Sequence, residues 1–209
     1  MSMISVSAAC ARREAADGCA GCGARAFSVC RDVKGPDLER LNALAETVTL
    51  QPGDVLAREG DPARHLFNVT AGSLRVYKLL PDGRRQITGF LFAGDFLGLA
   101  GGEAFGFTAE AMESSSLCRF RRDAYRTLVR ETPDLEQALL TRTSHELAAA
   151  QNQMLLLGRK TAQERVASFL LDLPSHDPSR SAPDNHVRLP MTRAEIADYL
   201  GLTIETVSR

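Results

Sequence analysis

The chain has 209 residues, 44% of them hydrophobic and 24% charged, with a formal net charge of -1 at neutral pH. That balance excludes a disordered polyelectrolyte and allows one large or two small packed domains. It gives no bulk electrostatic argument for or against a nucleic-acid partner.

Cysteine is unevenly spread: Cys10, Cys19, Cys22 and Cys30 fall in the first thirty residues and Cys118 stands apart. The start MSMISVSAAC lacks a basic segment followed by an apolar run. No stretch approaches the roughly 18 to 20 continuous apolar residues of a membrane span. A cytoplasmic protein with reduced cysteines is expected, in which thiols read as ligands rather than disulfides. Residues 2–34 show no period of helix or strand and read as a loop awaiting a ligand.

A short helix is predicted from residue 36 or 37 to about 47, with Leu38, Leu41, Leu44 and Ala45 on one face. From 48 to about 120 the chain alternates in short runs. These are broken at Pro52-Gly53-Asp54, Glu59-Gly60-Asp61, Ala71-Gly72-Ser73, Asp82-Gly83-Arg84 and Ala93-Gly94-Asp95. Many short strands cannot bury one face alone, so a sandwich or rolled barrel is predicted.

Helical spacing follows residue 122, and residues 133–157 contain no internal Gly or Pro. One stripe runs Leu135, Leu139, Thr143, Glu146, Ala150, Met154, Leu157, apolar at both ends and polar in the middle. It fits a helix-helix seam between two chains, with Glu146 making association conditional. It also fits one face of a packed helix with Glu146 at its margin. Another helix is predicted over 161–172, a polar loop over 175–186 and a short strand over 187–189.

In MTRAEIADYLGLTIETVSR, Thr192 and Glu195 form a capping box that starts a helix burying Ile196, Ala197 and Leu200. Gly201 supplies a positive φ at the turn, and Thr203 caps a second helix expected to carry Ile204 and Val207 inward. This is a helix-turn-helix. Glu205, Ser208 and Arg209 face outward with chemistry suited to base edges, a carboxylate for cytosine and a guanidinium for guanine. From Gly158 onward seven basic residues meet seven acidic ones, so tight nonspecific DNA binding is not expected. Arg209 lies only six residues into the second helix, so the reading head is expected to be incomplete and operator DNA to be bound poorly or not at all.

Several phrases together resemble the CRP/FNR family, and within it the oxygen-sensing FNR branch with its FnrN and FnrL-like members. They are Cys-x2-Cys-x7-Cys, QPGDVLAREGD, LFNVTAGSLRVYKLLPDGRRQITGFLFAGDFLG, SLCRF, QMLLLGRKTAQERVASFLLDL and LPMTRAEIADYLGLTIETVSR. The resemblance implies an α+β protein: a double-stranded β-helix (jelly-roll) sensor, a long dimerisation helix and a C-terminal winged helix-turn-helix. The domains would be a cysteine-rich loop (1–35), a cyclic-nucleotide-binding-like roll (36–125), a dimerisation helix (126–158) and the DNA-binding domain (159–209).

By the same resemblance, Cys19, Cys22, Cys30 and Cys118 would hold a [4Fe-4S] cluster that permits dimerisation without oxygen, and Cys10 would be dispensable. Thiolates are the usual ligands of such a cluster. Some family members have five residues before the third cysteine, where this chain has seven. Dimerisation would involve Leu139, Glu146, Leu147, Ala150, Met154 and Leu157. Residues 148–150 lack an acidic residue that some relatives place there, implying less sharply oxygen-dependent dimerisation. Thr203, Glu205, Ser208 and Arg209 would face a TTGAT-N4-ATCAA palindrome in double-stranded DNA, and the turn at 81–85 would face RNA polymerase.

Three other readings use the same residues. Cyclic-nucleotide binding would need a cation for the phosphate, yet residues 86–118 contain no Lys or Arg, and Phe107-Thr108-Ala109 stands where the family would place one. A regulator of the same fold could instead hold a structural zinc or answer to another small-molecule effector; zinc would use the same Cys-x2-Cys, but zinc sites more often pair two such knuckles. A jelly-roll metalloenzyme would need clustered ligands, and His65 is solitary within the roll.

Overall fold

The computed structural model describes residues 18–99, 102–176 and 189–209. Cys10 and most of the predicted loop and strand over 175–189 lie outside them.

Among the described residues eight strands form the roll: β1 (Glu46–Leu50), β2 (Val55–Ala57), β3 (His65–Ala71), β4 (Leu74–Leu79), β5 (Arg85–Leu91), β6 (Phe96–Leu97), β7 (Thr108–Ala111) and β8 (Ser115–Arg121). They pair antiparallel in two four-stranded sheets, β1-β8-β3-β6 and β2-β7-β4-β5. The five predicted turns each fall between consecutive strands. Alternating residues such as Val48 and Leu50, Phe67 and Val69, and Leu74 and Val76 fill the space between the sheets.

Helix α1 (Gly35–Leu44) stops short of the predicted end near residue 47. Residues 46–50 instead extend along β8, from Glu46 opposite Arg119 to Leu50 opposite Ser115. Cross-strand pairing there overrides local helix spacing. After β8 the chain forms α2 (Arg122–Glu131), breaks at Thr132, and enters α3 (Pro133–Arg159), whose 27 residues span about 40 Å. Pro133 is compatible with a first turn, where no amide donor is required.

Beyond α3 come α4 (Ala162–His176), α5 (Arg193–Leu200) and α6 (Ile204–Ser208). The capping box of α5 is complete: the Thr192 hydroxyl accepts from the Glu195 amide at 3.3 Å, and the Glu195 carboxylate accepts from the Thr192 amide at 2.6 Å. Gly201 turns the chain at φ +61°. Val207 packs into the cluster containing Ile196 and Leu200, but Ile204 is 44% exposed, contrary to the inward position predicted for it. Ile204 opens this five-residue helix, at its exposed N-terminal end, while Val207, its fourth residue, reaches the core.

Burial pushes the Glu195 carboxyl up, but the Thr192 amide and hydroxyl together with Arg75 outweigh burial and hold it below the usual range. A depressed folded pKa means its contribution is complete above the unfolded value of about 4.3 and is lost as the pH falls through the lower folded value. The methyl resonance of Ile196 should therefore be constant down to that region and shift below it. An Ile196 signal unchanged across the whole acid titration of the Glu195 carboxyl would remove Glu195 as the holding group.

Candidate thiol site and nucleic-acid interface

The cysteine loop is ordered by short-range bonds. Arg25 donates to the carbonyls of Cys30 (3.2 Å) and Val33 (2.6 Å), the Cys19 amide donates to Asn42 on α1 (3.1 Å), and the Cys30 amide donates to the Ser28 hydroxyl (3.2 Å). These bonds seat Val29, Cys30 and Val33 in an apolar cluster with Leu41 of α1, Phe120 of β8, Tyr125 of α2 and Leu135 of α3. Cys118 of β8 packs at the edge of that cluster. Cys30 and Cys118, 88 positions apart, thus meet in one packed region.

Cys22 lies within electrostatic reach of Cys30, and Cys19 sits on the partly exposed lip of the loop. None of the four is in a disulfide. Among the described residues no group of three or more His, Cys, Asp or Glu side chains stands as an assembled metal cage. The donor types are nevertheless those of a thiolate-ligated group, with Cys30 and Cys118 in one packed region and Cys22 near Cys30.

A second observation points the same way. The Tyr125 hydroxyl is buried without a hydrogen-bond partner, near enough to Cys30 to feel its charge. Buried hydroxyls are costly to leave unpaired, so this donor suits a sulfur-rich acceptor beside Cys30. Burial pushes the Cys30 thiol up, with Ser28 and Arg25 opposing and Cys22 adding to the rise. His65 lies on β3 near Phe67, apart from these thiols, as its isolation in sequence suggested.

The loop also touches the turn before β6. Gly94, at φ +97°, lies so close to the loop that a Cβ there would stand 2.7 Å from the Phe27 Cβ and 2.8 Å from its carbonyl oxygen. The next residue, Asp95, accepts from the Phe92 amide (2.8 Å) and from Arg142 of α3 (2.5 Å). Arg142 also donates to Glu146 at 3.2 Å. A groove of about 750 Å³ runs between loop, turn and α3, lined by Phe27, Asp95, Arg142, His145 and Glu146 among others.

That geometry changes the reading of α3. Leu139 packs partly on the thiol-side cluster and Leu157 partly on the cluster beneath α5, so both serve the interior of their own chain. Glu146 is paired with Arg142 instead of standing unpaired on an apolar stripe. Apolar side chains left open on α3 include Leu140 (61% exposed), Leu147 (61%) and Met154 (66%), seven residues apart, with Ala150 exposed between the last two and Leu155 (56%) next to Met154. Leu140, Leu147 and Met154 thus repeat at heptad spacing, and Leu140 was not read from the sequence although that spacing was visible.

On the reading head, Glu205, Ser208 and Arg209 are exposed, while the Thr203 hydroxyl accepts from the Thr206 amide at 3.3 Å as the cap of α6. Its own amide and the Thr203 hydroxyl hold the Glu205 carboxyl below the usual range. In the roll, Phe107 packs on the inter-sheet core, the Thr108 hydroxyl accepts from the Glu59 amide at 3.1 Å, and Ala109 is fully buried. At the β4–β5 turn, Arg84 pairs with Asp82 at the exposed tip, while Arg85 turns inward to Asp198 of α5. No helix of the described residues is long and apolar enough to cross a membrane.

Residues 47–132 match the family model of a cyclic nucleotide-binding domain and residues 164–209 that of a Crp-like helix-turn-helix domain. The chain is similar to the transcriptional activatory protein AadR of Rhodopseudomonas palustris, 40% identical over 90% of this chain and 79% of that protein. It is similar to the nitrogen fixation regulation protein FixK of Bradyrhizobium diazoefficiens, 39% identical over 91% of this chain and 81% of that protein. Among solved structures it is similar to FixK2 from Bradyrhizobium japonicum, with a TM-score of 0.72 and 41% identity over 79% of this chain and 81% of that one. Roll, long helix and helix-turn-helix recur there in the same order, and the chain belongs to the CRP/FNR family of DNA-binding transcription regulators.

Proposed function

We propose that the chain is an oxygen-responsive transcription activator, a cytoplasmic homodimer whose operator binding depends on a [4Fe-4S] cluster held by Cys19, Cys22, Cys30 and Cys118. The observation that carries this reading is the shared cluster of Cys30, Cys118, Tyr125 and Leu135, which joins the cysteine loop to the first turn of α3. Bound there, an iron–sulfur cluster supplies a thiolate cross-link between loop and strand that persists without oxygen and is lost to oxidation.

The chain's own residues carry the consequence outward. Val29 and Val33 hold Leu41 and Leu135 in place, Phe27 bears on Gly94, and Asp95 fixes Arg142 on α3. With α3 so placed, Leu140, Leu147, Ala150 and Met154 present one continuous stripe to a second copy. Pairing of two such helices brings two reading heads to successive major grooves, with Glu205, Ser208 and Arg209 toward base edges. RNA polymerase is the protein partner that an activator requires, and the exposed tip of the β4–β5 turn, around Asp82 and Arg84, is its candidate contact. Support for activation comes from relatives named as activators.

Cyclic nucleotide is not the proposed effector, because Phe107 and Ala109 fill core space where a phosphate would need a cation. A second reading, an apolar small-molecule effector with zinc on the thiols, draws on a cavity of about 730 Å³ between the roll, α3 and α4, walled by Phe90, Leu97 and Phe107. Anaerobic purification separates the two. Broad visible absorption with bound iron and sulfide, bleached by air, is the expected outcome; a colourless zinc-containing protein would overturn the cluster.

A further inference from the structure

The contacts that hold α5 against the sensor play no part in the mechanism above, yet they are specific. Glu195 and Asp198, three residues apart, occupy neighbouring positions on α5. Arg75 of β4 pairs with Glu195 and, through its other terminal nitrogen, with Glu110 of β7 in a largely buried triad. Arg85 of β5 donates twice to one Asp198 oxygen (2.9 and 2.7 Å), with its guanidinium 5.5 Å from the Tyr77 ring centroid.

The end of α5 is gripped as well. A helix leaves its last carbonyls without internal donors and carries partial negative charge there. Gln86 of β5 donates to the Asp198 carbonyl (2.8 Å), Gln153 of α3 to that of Tyr199 (3.1 Å) and Arg165 of α4 to that of Leu200 (2.9 Å). Sensor, long helix and α4 therefore all fix the end of one short helix.

We propose that the β4–β5 hairpin is the seat of the DNA-reading head, with Arg75, Arg85 and Gln86 as positioning residues for operator recognition. The proposal rests on the reading of the chain as an operator-binding dimer. Two heads must meet half-sites about one helical turn apart, and a head that tumbles must be ordered on binding at a cost in affinity. The outer face of α6 stays exposed while α5 is seated, so the seat orients the head without covering its reading side.

Arg85 and Asp198 provide the clean test, since their side chains are 28% and 33% exposed and reversal there spares the buried triad. The variants are R85D, D198R and the charge-swapped double variant, each in the full chain. Each single variant should speed amide exchange in α5 without changing the roll, and should weaken binding to the TTGAT-N4-ATCAA duplex about tenfold relative to the parent. The slope of log affinity against log salt should stay constant, because no phosphate contact is lost. The double variant should restore both exchange and affinity.

Singles with parental exchange and affinity would overturn the seat, as would a shallower salt slope, which would place Arg85 on DNA. Stronger operator binding by either single would make the contact inhibitory and overturn its positioning role. Absence of an operator complex with the parent chain would bear on the functional reading and not on the seat, which the exchange measurements then decide.

Discussion

A Cys118→Ser protein purified without oxygen should lack the broad visible absorption of the parent and sediment as a monomer. Cys118 lies on β8 between Thr47 of β1 and Asn68 of β3, so its backbone is fixed on both sides. Serine nearly preserves the side-chain volume, and the fold should survive, as unchanged far-ultraviolet circular dichroism would show. What disappears is one of four thiols, and with it the only proposed ligand from the roll. A Cys10→Ser control should keep both colour and dimerisation. Normal dimerisation of Cys118→Ser with an intact cluster would sink the ligand assignment.

The second large effect is expected on α3. Leu147→Asp places a carboxylate at the centre of the open stripe, and symmetry places two at the interface. Burying unpaired charge costs several kcal/mol, so dimer affinity should fall at least ~100-fold while the monomer keeps its melting temperature. Leu139→Ala should do the reverse, costing the monomer about 2 kcal/mol because Leu139 packs inside its own chain, with little effect on association. Glu146→Ala should not strengthen the dimer, since its carboxylate is already balanced by Arg142. Sedimentation across a concentration series reads all three. A Leu139 variant that dissociated while Leu147→Asp stayed paired would return the seam to the stripe read from sequence.

The two apolar faces of α3 show where sequence reasoning stops. The strand-rich texture, the long helix and the capping box with Gly201 were legible because each depends on neighbours within a few residues. The open stripe was legible only in part, with Leu147, Ala150 and Met154 read and Leu140 not, because α3 has two apolar faces. Leu135, Leu139 and Leu157 lie on one and Leu140, Leu147 and Met154 on the other, and periodicity cannot say which is covered by the same chain. The end of α1 was misjudged for a related reason: only β8, seventy residues away in sequence, makes 46–50 a strand. Arg75 and Arg85 left no signal at all, since their partners on α5 lie 120 and 113 positions downstream.

For the thiol set, sequence supplied the residue types and the family resemblance supplied the grouping. Geometry added that Cys30 and Cys118 share a cluster with Tyr125 and Leu135. Neither the orphaned Tyr125 hydroxyl nor the Asp95–Arg142–Glu146 chain could be foreseen, because each depends on which segments meet in space.

The close approach of Phe27 to Gly94 has a consequence for how such sensors diversify. Any side chain at 94 must push the cysteine loop away from the roll, and that same turn carries the carboxylate that grips α3. Chemistry in the loop can therefore be exchanged, cysteine by cysteine, without losing the path to the helix, provided position 94 remains glycine. On the proposed reading, a side chain at 94 would break the path from loop to helix without removing any of the four proposed ligand residues, though it would shift three of them relative to Cys118.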